Sequence, residues 1–293
     1  MSIEIRLLED CDRGALFRLL AAEPDSTMFF RSNLLQVGID YTGQYFSAQY
    51  FGAWRGDELC AVVAHCWNGM LLIHEPGGGT DLIPEVSRRA VAISLRSVTG
   101  FLGRWAQVIA ARETLGLTGR PTAMCSQDIL FGLNLGALRV PVLLTGSGDV
   151  RFRPAEGRDL ARLVEFRVAY HRELLGTPDS PELPDRCRDE VHSRMDGNTF
   201  VLVDARSDTP VSCSSFNARV PDTVQIGGVF TPPAMRGRGY GRAVVAGSLL
   251  IARAEGVTRS ILFTGQDNPA AQTAYRALGY QAVGDYGLIL FRD

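Results

Sequence analysis

Two short segments carry residues whose types and spacing suit chemistry. The first is Gly227-Gly-Val-Phe-Thr-Pro-Pro-Ala-Met-Arg-Gly-Arg-Gly-Tyr-Gly-Arg242, where Arg236, Arg238 and Arg242 alternate with Gly237, Gly239 and Gly241. Arginine supplies a fixed positive charge, and glycine lets a ligand approach the main chain closely. Such a loop suits phosphate when a helix follows it. Val244, Val245, Ser248, Leu249 and Ala252 recur on one helical face, and Gly256 ends the run. Free N–H groups and the positive end of that helix then meet a pyrophosphate. The second segment is Asn268-Pro-Ala-Ala-Gln-Thr-Ala-Tyr-Arg-Ala-Leu-Gly-Tyr280. Asn268 is a good helix cap, Pro269 fits the first helical position and Gly279 the stop. Asn268, Ala271 and Tyr275 share one face of that helix.

The elements around the loop narrow the ligand. Val224–Phe230 is a strand by its branched and aromatic content, its glycine pair predicts a bulge, and Pro232 and Pro233 end the ladder. The chain contains no lysine, which excludes a P-loop, a lysine nucleophile and a Schiff base. A Rossmann loop does not fit either, because the segment does not open a βαβ unit with a ribose-binding acid downstream.

With both segments in place, residues 150 to 293 resemble the GNAT superfamily of acetyl-coenzyme A dependent N-acyltransferases. The family's loop reads Gln or Arg, two residues, Gly, one residue, then Gly or Ala, and Arg236, Gly239 and Gly241 fill it. The second segment is similar to the one that follows the family's fifth strand. The resemblance implies that Val229, Phe230 and Thr231 present backbone groups to the pantetheine arm of acetyl-CoA. It assigns the pyrophosphate to Arg236-Gly237-Arg238-Gly239-Tyr240-Gly241-Arg242, and turns Asn268, Ala271 and Tyr275 toward the cofactor thiol. Tyr275 becomes the acid that protonates the leaving thiolate, and an N–H near Val229 or Phe230 polarises the thioester carbonyl.

The general base is open. Many relatives carry a carboxylate on the strand before the loop, whereas Thr223-Val-Gln-Ile-Gly-Gly-Val-Phe230 has none. Glu173, His171 and His192 are alternatives on neighbouring helices and none is assigned; a bound water or an already neutral amine serves equally. The implied activity is acetyl transfer to the primary amine of a small molecule. A non-catalytic acyl-CoA-binding or regulatory protein is the alternative.

Composition sets the bounds. The 293 residues are 46% hydrophobic, enough for a substantial core, and the net charge of −2 argues against a nucleic-acid-binding face or attraction to anionic membranes. No run of about 18 apolar residues occurs, so a cytoplasmic protein is expected. Cys11, Cys60, Cys66, Cys125, Cys187 and Cys213 show no metal-ligand spacing with the histidines and read as reduced, mostly buried thiols; no metal is expected.

The two halves open alike. Ile3-Glu-Ile-Arg-Leu-Leu-Glu-Asp10 and Val150-Arg-Phe-Arg-Pro-Ala-Glu-Gly-Arg-Asp159 are each a strand followed by acidic caps and an amphipathic helix, with Leu16, Leu19 and Leu20 matched by Leu160, Leu163 and Val164. The linker-like Thr145-Gly-Ser-Gly-Asp149 separates them. The expected fold is α/β (α+β), with two tandem GNAT-like domains at 1–147 and 148–293, each a mixed, mostly antiparallel twisted sheet flanked by helices.

In the first half, strands are expected near Tyr50–Ala53, Cys60–Cys66 and Met70–His74, and helices near Ser87–Ser97 and Gln107–Leu115. A helix at Tyr240–Glu255, a strand at Ser260–Thr264, a helix at Pro269–Leu278 and a final pair of short strands complete the second. After Met70–Pro76 the first half reads Gly77-Gly-Gly-Thr-Asp-Leu-Ile-Pro84 and lacks both signatures, so it is expected to be degenerate and to bind no acetyl-CoA, while helping to shape the acceptor site.

Overall fold

Runs of β-branched and aromatic residues form the strands, and helices with one apolar stripe cover them. The computed structural model describes residues 2–146, 148–174, 176–195 and 197–292; Ser147, within the expected linker, lies outside the described residues. The chain divides into two compact units, Met1–Leu130 with Gly284–Asp293, and Phe131–Val283.

Chain order gives the strands β1 (Ile3–Leu7), β2 (Ala48–Arg55), β3 (Glu58–Cys66), β4 (Met70–His74), β5 (Gly100–Gly103) and β6 (Thr122–Asn134). They continue with β7 (Val150–Pro154), β8 (Thr199–Asp204), β9 (Pro210–Val220), β10 (Thr223–Phe230), β11 (Arg259–Gly265) and β12 (Gln281–Phe291). The helices are α1 (Arg13–Ala22), α2 (Met28–Val37), α3 (Ile83–Ser94), α4 (Trp105–Thr114), α5 (Val142–Thr145), α6 (Leu160–Leu174), α7 (Leu183–His192), α8 (Tyr240–Ala254) and α9 (Pro269–Leu278).

In the first unit β1 to β4 pair antiparallel in order, β4 pairs β5 in parallel, and β5 pairs β12 antiparallel. In the second, β7 to β10 pair antiparallel in order and β10 pairs β11 in parallel. The fold is therefore the expected mixed, mostly antiparallel α/β type.

Each sheet is buried under helices. In the first unit α3 and α4 cover one face, where Phe51, Leu71, Ile83, Val86 and Phe101 pack together. In the second, α8 buries Val244, Val245, Leu249 and Ala252, each side chain contributing on the order of 1–3 kcal/mol. Gly247 permits the close approach of α8 to β7, since a Cβ there would collide with the Phe152 ring.

The same motif opens both units. Arg6 donates two hydrogen bonds to Asp12 (2.6 and 2.7 Å), and Arg153 donates two to Asp159 (2.6 and 2.9 Å). The Glu9 and Glu156 N–H groups donate to the same two aspartates, at 2.9 and 2.8 Å. The strand is thus stapled to the following helix by one bidentate ion pair in each unit, which gives the duplication seen in sequence a physical form.

Several expectations change. In the compact units Phe131–Asn134 goes with the second, and Gly284–Asp293 with the first. Helix α2 and the long strand β6 were not anticipated, and the final pair of short strands is one strand, β12, running through Gly284 and Gly287. Helix α3 begins at Ile83, with Pro84 in its first turn, and ends where Leu95 turns left-handed (φ 54°). Only Cys66, Cys187 and Cys213 are buried; Cys11 and Cys125 are exposed.

The staples give a pH-dependent prediction. The Arg6 hydrogen bonds hold the Asp12 carboxyl below its ordinary range. Burial opposes ionisation of Asp159, but the Arg153 interaction outweighs it and lowers that carboxyl too. Depressed carboxyls stabilise the fold fully above a pH of about 4 and lose that contribution as pH falls through their lower native values. Asp159→Asn should cost about 2 kcal/mol at neutral pH, since it takes from the Arg153 guanidinium its two-point partner and leaves only the longer carboxylate contacts to Asp208 (3.5 Å) and Glu156 (3.9 Å), and the deficit should shrink on acidification. Urea midpoints of parent and variant at neutral and acid pH check this.

Candidate active site

The second unit's site begins where two parallel strands part. β10 and β11 pair only from Thr223 with Arg259 to Gln225 with Ile261. Beyond that fork β10 keeps its other neighbour, β9, and its free edge faces an opening. Gln225 sits at the fork, buried, donating from Nε2 to the Ile226 carbonyl (2.7 Å) while its Oε1 has no partner among the described residues.

The expected bulge is present. Register shifts between Gly227, which faces Ser215, and Phe230, which faces Cys213, and Gly228 is left-handed (φ 59°). β9 anchors the distorted segment: Ser212 Oγ donates to the Phe230 carbonyl (3.0 Å), and Cys213 Sγ lies 3.6 Å from the Gly228 carbonyl oxygen. Val229 and Thr231 are partly exposed on either side of buried Phe230.

After a 3-10 turn at Pro233–Met235, Gly237 (φ 77°) and Gly239 (φ 78°) carry the chain into α8. No side chain caps that helix, and its first intrahelical bond runs from the Ala243 N–H to the Gly239 carbonyl (2.9 Å). The N–H groups of Tyr240, Gly241 and Arg242 therefore have no acceptor four residues back. Gly241 lies against the strand end, its hypothetical Cβ 3.4 Å from Thr231 Oγ1. Arg238 and Arg242 are exposed.

Arg236 is committed differently. It donates from Nε to the Thr231 carbonyl (3.0 Å) and pairs with Glu173 of α6 (2.7 Å), so it braces the loop against α6.

On the far side, Asn268 caps α9 through its side chain, which accepts from the Ala271 N–H (3.1 Å), and Gly279 (φ 103°) ends the helix. Tyr275 projects from α9, with its ring 6.5 Å from Phe131 and 6.0 Å, edge to face, from Tyr280. Burial, reinforced by the Tyr170 phenol, pushes the Tyr275 hydroxyl well above the ordinary phenol range, so it stays protonated at neutral pH. Tyr170 of α6 also lies against Phe230, with ring centres 6.5 Å apart.

The base alternatives fall away from the bulge. Glu173 is taken by Arg236, and His171 is held between Glu190 (3.2 Å) and Thr177 (3.3 Å). His192 is exposed at the end of α7. A cavity of ≈ 50 Å³ does adjoin the bulge, reaching Gly228 and Phe230 and lined also by Tyr170, Arg167, Glu190 and Arg194. Sequence reading missed these residues of α6, of α7 and of the turn that follows α7. The available signal was Arg167 lying between Leu163 and Tyr170 on one helical face, a charge inside an apolar stripe.

The first unit repeats the fork and fills it. β4 and β5 also pair in parallel over three residues, Met70–Leu72 with Gly100–Leu102. At the start of α3, however, Glu75 Oε2 accepts the Leu82 N–H (3.0 Å), and a Cβ on Gly79 would lie 2.6 Å from Glu75 Oε1. Glu23 accepts the Gly77 N–H (2.7 Å) and pairs with Arg104 (2.8 Å). The loop donors of this unit are occupied by its own carboxylates.

Among the described residues no cluster of three His, Cys, Asp or Glu side chains is poised to hold a metal ion, and no helix is long and apolar enough to cross a membrane.

The second unit thus sets a bulged strand, parted from its parallel partner, ahead of an uncapped, glycine-led helix. The family follows from comparison: residues 161–280 match the Acetyltransferase (GNAT) family model, and this span is a GNAT domain. Solved structures share the fold along the whole chain. An acetyltransferase of the GNAT family from Colwellia psychrerythraea aligns with a TM-score of 0.55 at 16% identity, over 99% of this chain and 100% of its own. A GCN5-related N-acetyltransferase from Sphaerobacter thermophilus gives 0.59 at 17%, over 98% and 94%. A tandem GNAT protein from the clavulanic acid biosynthesis pathway gives 0.56 at 13%, over 98% and 97%. The search of curated proteins finds no match.

Proposed function

We propose that the second unit transfers the acetyl group of acetyl-CoA to the primary amine of a small molecule. The observation that carries this reading is the opening of β10 away from β11, with the uncapped start of α8 on one side and protonated Tyr275 on the other. The N–H groups of Tyr240, Gly241 and Arg242 and the helix dipole bind the pyrophosphate, with Arg238 and Arg242 adding charge. Backbone groups of Val229 to Thr231 receive the pantetheine arm. Asn268 and Ala271, already engaged with each other at the cap, set the start of the helix that carries Tyr275.

In the reaction the amine lone pair forms the new C–N bond as the C–S bond breaks. A bulge N–H near Val229 or Phe230 stabilises the oxyanion. The Tyr275 hydroxyl donates its proton to the departing sulfur and is reprotonated from solvent. Glu190 does not serve as the base. Burial opposes its ionisation, but the His171 hydrogen bond and the Arg167 charge prevail and hold it at about 2, too low to take a proton from an ammonium. The amine enters neutral or loses its proton to water.

The first unit, in this reading, binds no acetyl-CoA, because Glu75 and Glu23 already occupy the donors that the pyrophosphate needs. A carboxylate at a helix start excludes a second anion by repulsion as well as by space. The missing strand carboxylate of β10 favours a second reading, a non-catalytic acyl-CoA-binding protein, which binds the cofactor and turns over no amine.

Three measurements test this. Gly239→Val, at a left-handed position beside the free N–H groups, should weaken acetyl-CoA binding by tenfold or more in calorimetry; equal affinity sinks the loop assignment. Tyr275→Phe should lower kcat about 100-fold while the acetyl-CoA Kd stays within about twofold, and an unchanged kcat removes Tyr275 from the mechanism. Equilibrium binding to the full chain should give a single acetyl-CoA; two equivalent sites overturn the assignment of the first unit.

A further inference from the structure

The cavity beside the bulge holds an unbalanced charge. Two guanidinium groups, those of Arg167 and Arg194, line it with one carboxylate, Glu190. Arg167 spends only Nε on Glu190 (2.7 Å), and its guanidinium carbon lies 5.0 Å from the Tyr170 ring centre. Arg194 spends only Nη1, on the neutral Asn217 Oδ1 (3.2 Å). The remaining guanidinium N–H groups of both residues have no acceptor among the described residues. Glu190 Oε2 already accepts from Arg167 and faces His171 Nε2.

Two like charges beside one small cavity repel each other. A fold that keeps both there, with a single carboxylate against them, is one negative charge short of neutrality. Guanidinium edges match a planar carboxylate in a two-point contact. One excess positive charge matches a monoanion and is overcompensated by a phosphate dianion. Gly228 and Phe230 border the same cavity, so a ligand anchored on the arginines reaches the bulge where the thioester carbonyl is placed.

We propose that the acceptor carries a carboxylate as well as its amine, and that Arg167 and Arg194 hold this carboxylate so that the amine faces the β10 bulge. The inference rests on the acyl-transfer reading of the same site and adds the acceptor's chemical class. Arg194 is the residue to vary, because it is exposed enough to be changed without dismantling the Arg167–Glu190 pair.

The test follows thiol release from acetyl-CoA with glycine, L-alanine, β-alanine and 4-aminobutyrate, each against its own carboxamide. The best acid should exceed its amide in kcat/KM by tenfold or more. Arg194→Gln should raise the KM of that acid about tenfold, leave kcat/KM for the amide and the acetyl-CoA Kd within about twofold, and Arg194→Lys should recover part of the loss. Parity between acids and amides overturns the proposal, as does an Arg194→Gln variant that depresses both alike. Acetyl-CoA binding with no turnover of any acid also overturns it. If calorimetry detects no acetyl-CoA binding at all, the acyl-transfer reading falls first and this inference falls with it, so the two failures are distinguishable.

Discussion

The second unit's site depends on how briefly two parallel strands pair. From Thr223 to Gln225 the β10 ladder is shared with β11; one residue further on it is not. Unpaired main-chain donors and acceptors on a strand normally find a partner, because leaving them dry costs free energy of the order of a hydrogen bond each. Here they are kept available by a second distortion. The Gly227–Gly228 bulge, pinned from β9 by Ser212 and Cys213, bends the strand so that it cannot close on β11. α8 follows β10 and α9 follows β11, and the two helices begin differently: left-handed Gly239 leaves donors open, whereas Asn268 closes one.

The first unit is the control that the molecule carries within itself. It has the same bidentate staple at its first helix and the same three-residue parallel pairing. What differs is the fate of the donors at the helix start. Glu75 and Glu23 satisfy them internally, and Arg104 balances the second of these acids. One backbone design thus yields either a receptive loop or a closed one, according to whether a carboxylate stands within reach. Burial, with the Asp81 charge beside it, raises the Glu75 carboxyl above its usual range, and the Leu82 N–H works against that rise.

Local chemistry was legible in the sequence and long-range pairing was not. Arg236-x-x-Gly239-x-Gly241 and Asn268-Pro269 announced a helix start, a tight turn and a cap because each signal is complete within a few residues. β6 was invisible because polar Thr122, Ser126, Gln127 and Asp128 and the small Gly132 break its apolar pattern, and only its neighbours reveal it as a strand. Gly284 and Gly287 made β12 read as two pieces; Gly287 is required there because a Cβ would press on Trp105. The pairing of Arg236 with Glu173 lies beyond any local pattern, because Glu173 belongs to a different helix. Arg167, Glu190 and Arg194 escaped for the same reason.

The last strand has a consequence for how the protein is made. Residues Gly287–Leu290 of β12 complete the first unit by pairing with Gly100–Gly103, and Ile289 and Phe291 fill its core beside Phe101. Synthesis proceeds from the N-terminus, yet the unit translated first lacks a central strand until residues 287–290 leave the ribosome. The edge of β5 stays unpaired through the whole translation of the second unit, whose own core can assemble meanwhile. The order of maturation is therefore the reverse of the order of synthesis, and a chain cut just before Gly287 is injured in its first unit more than in its second.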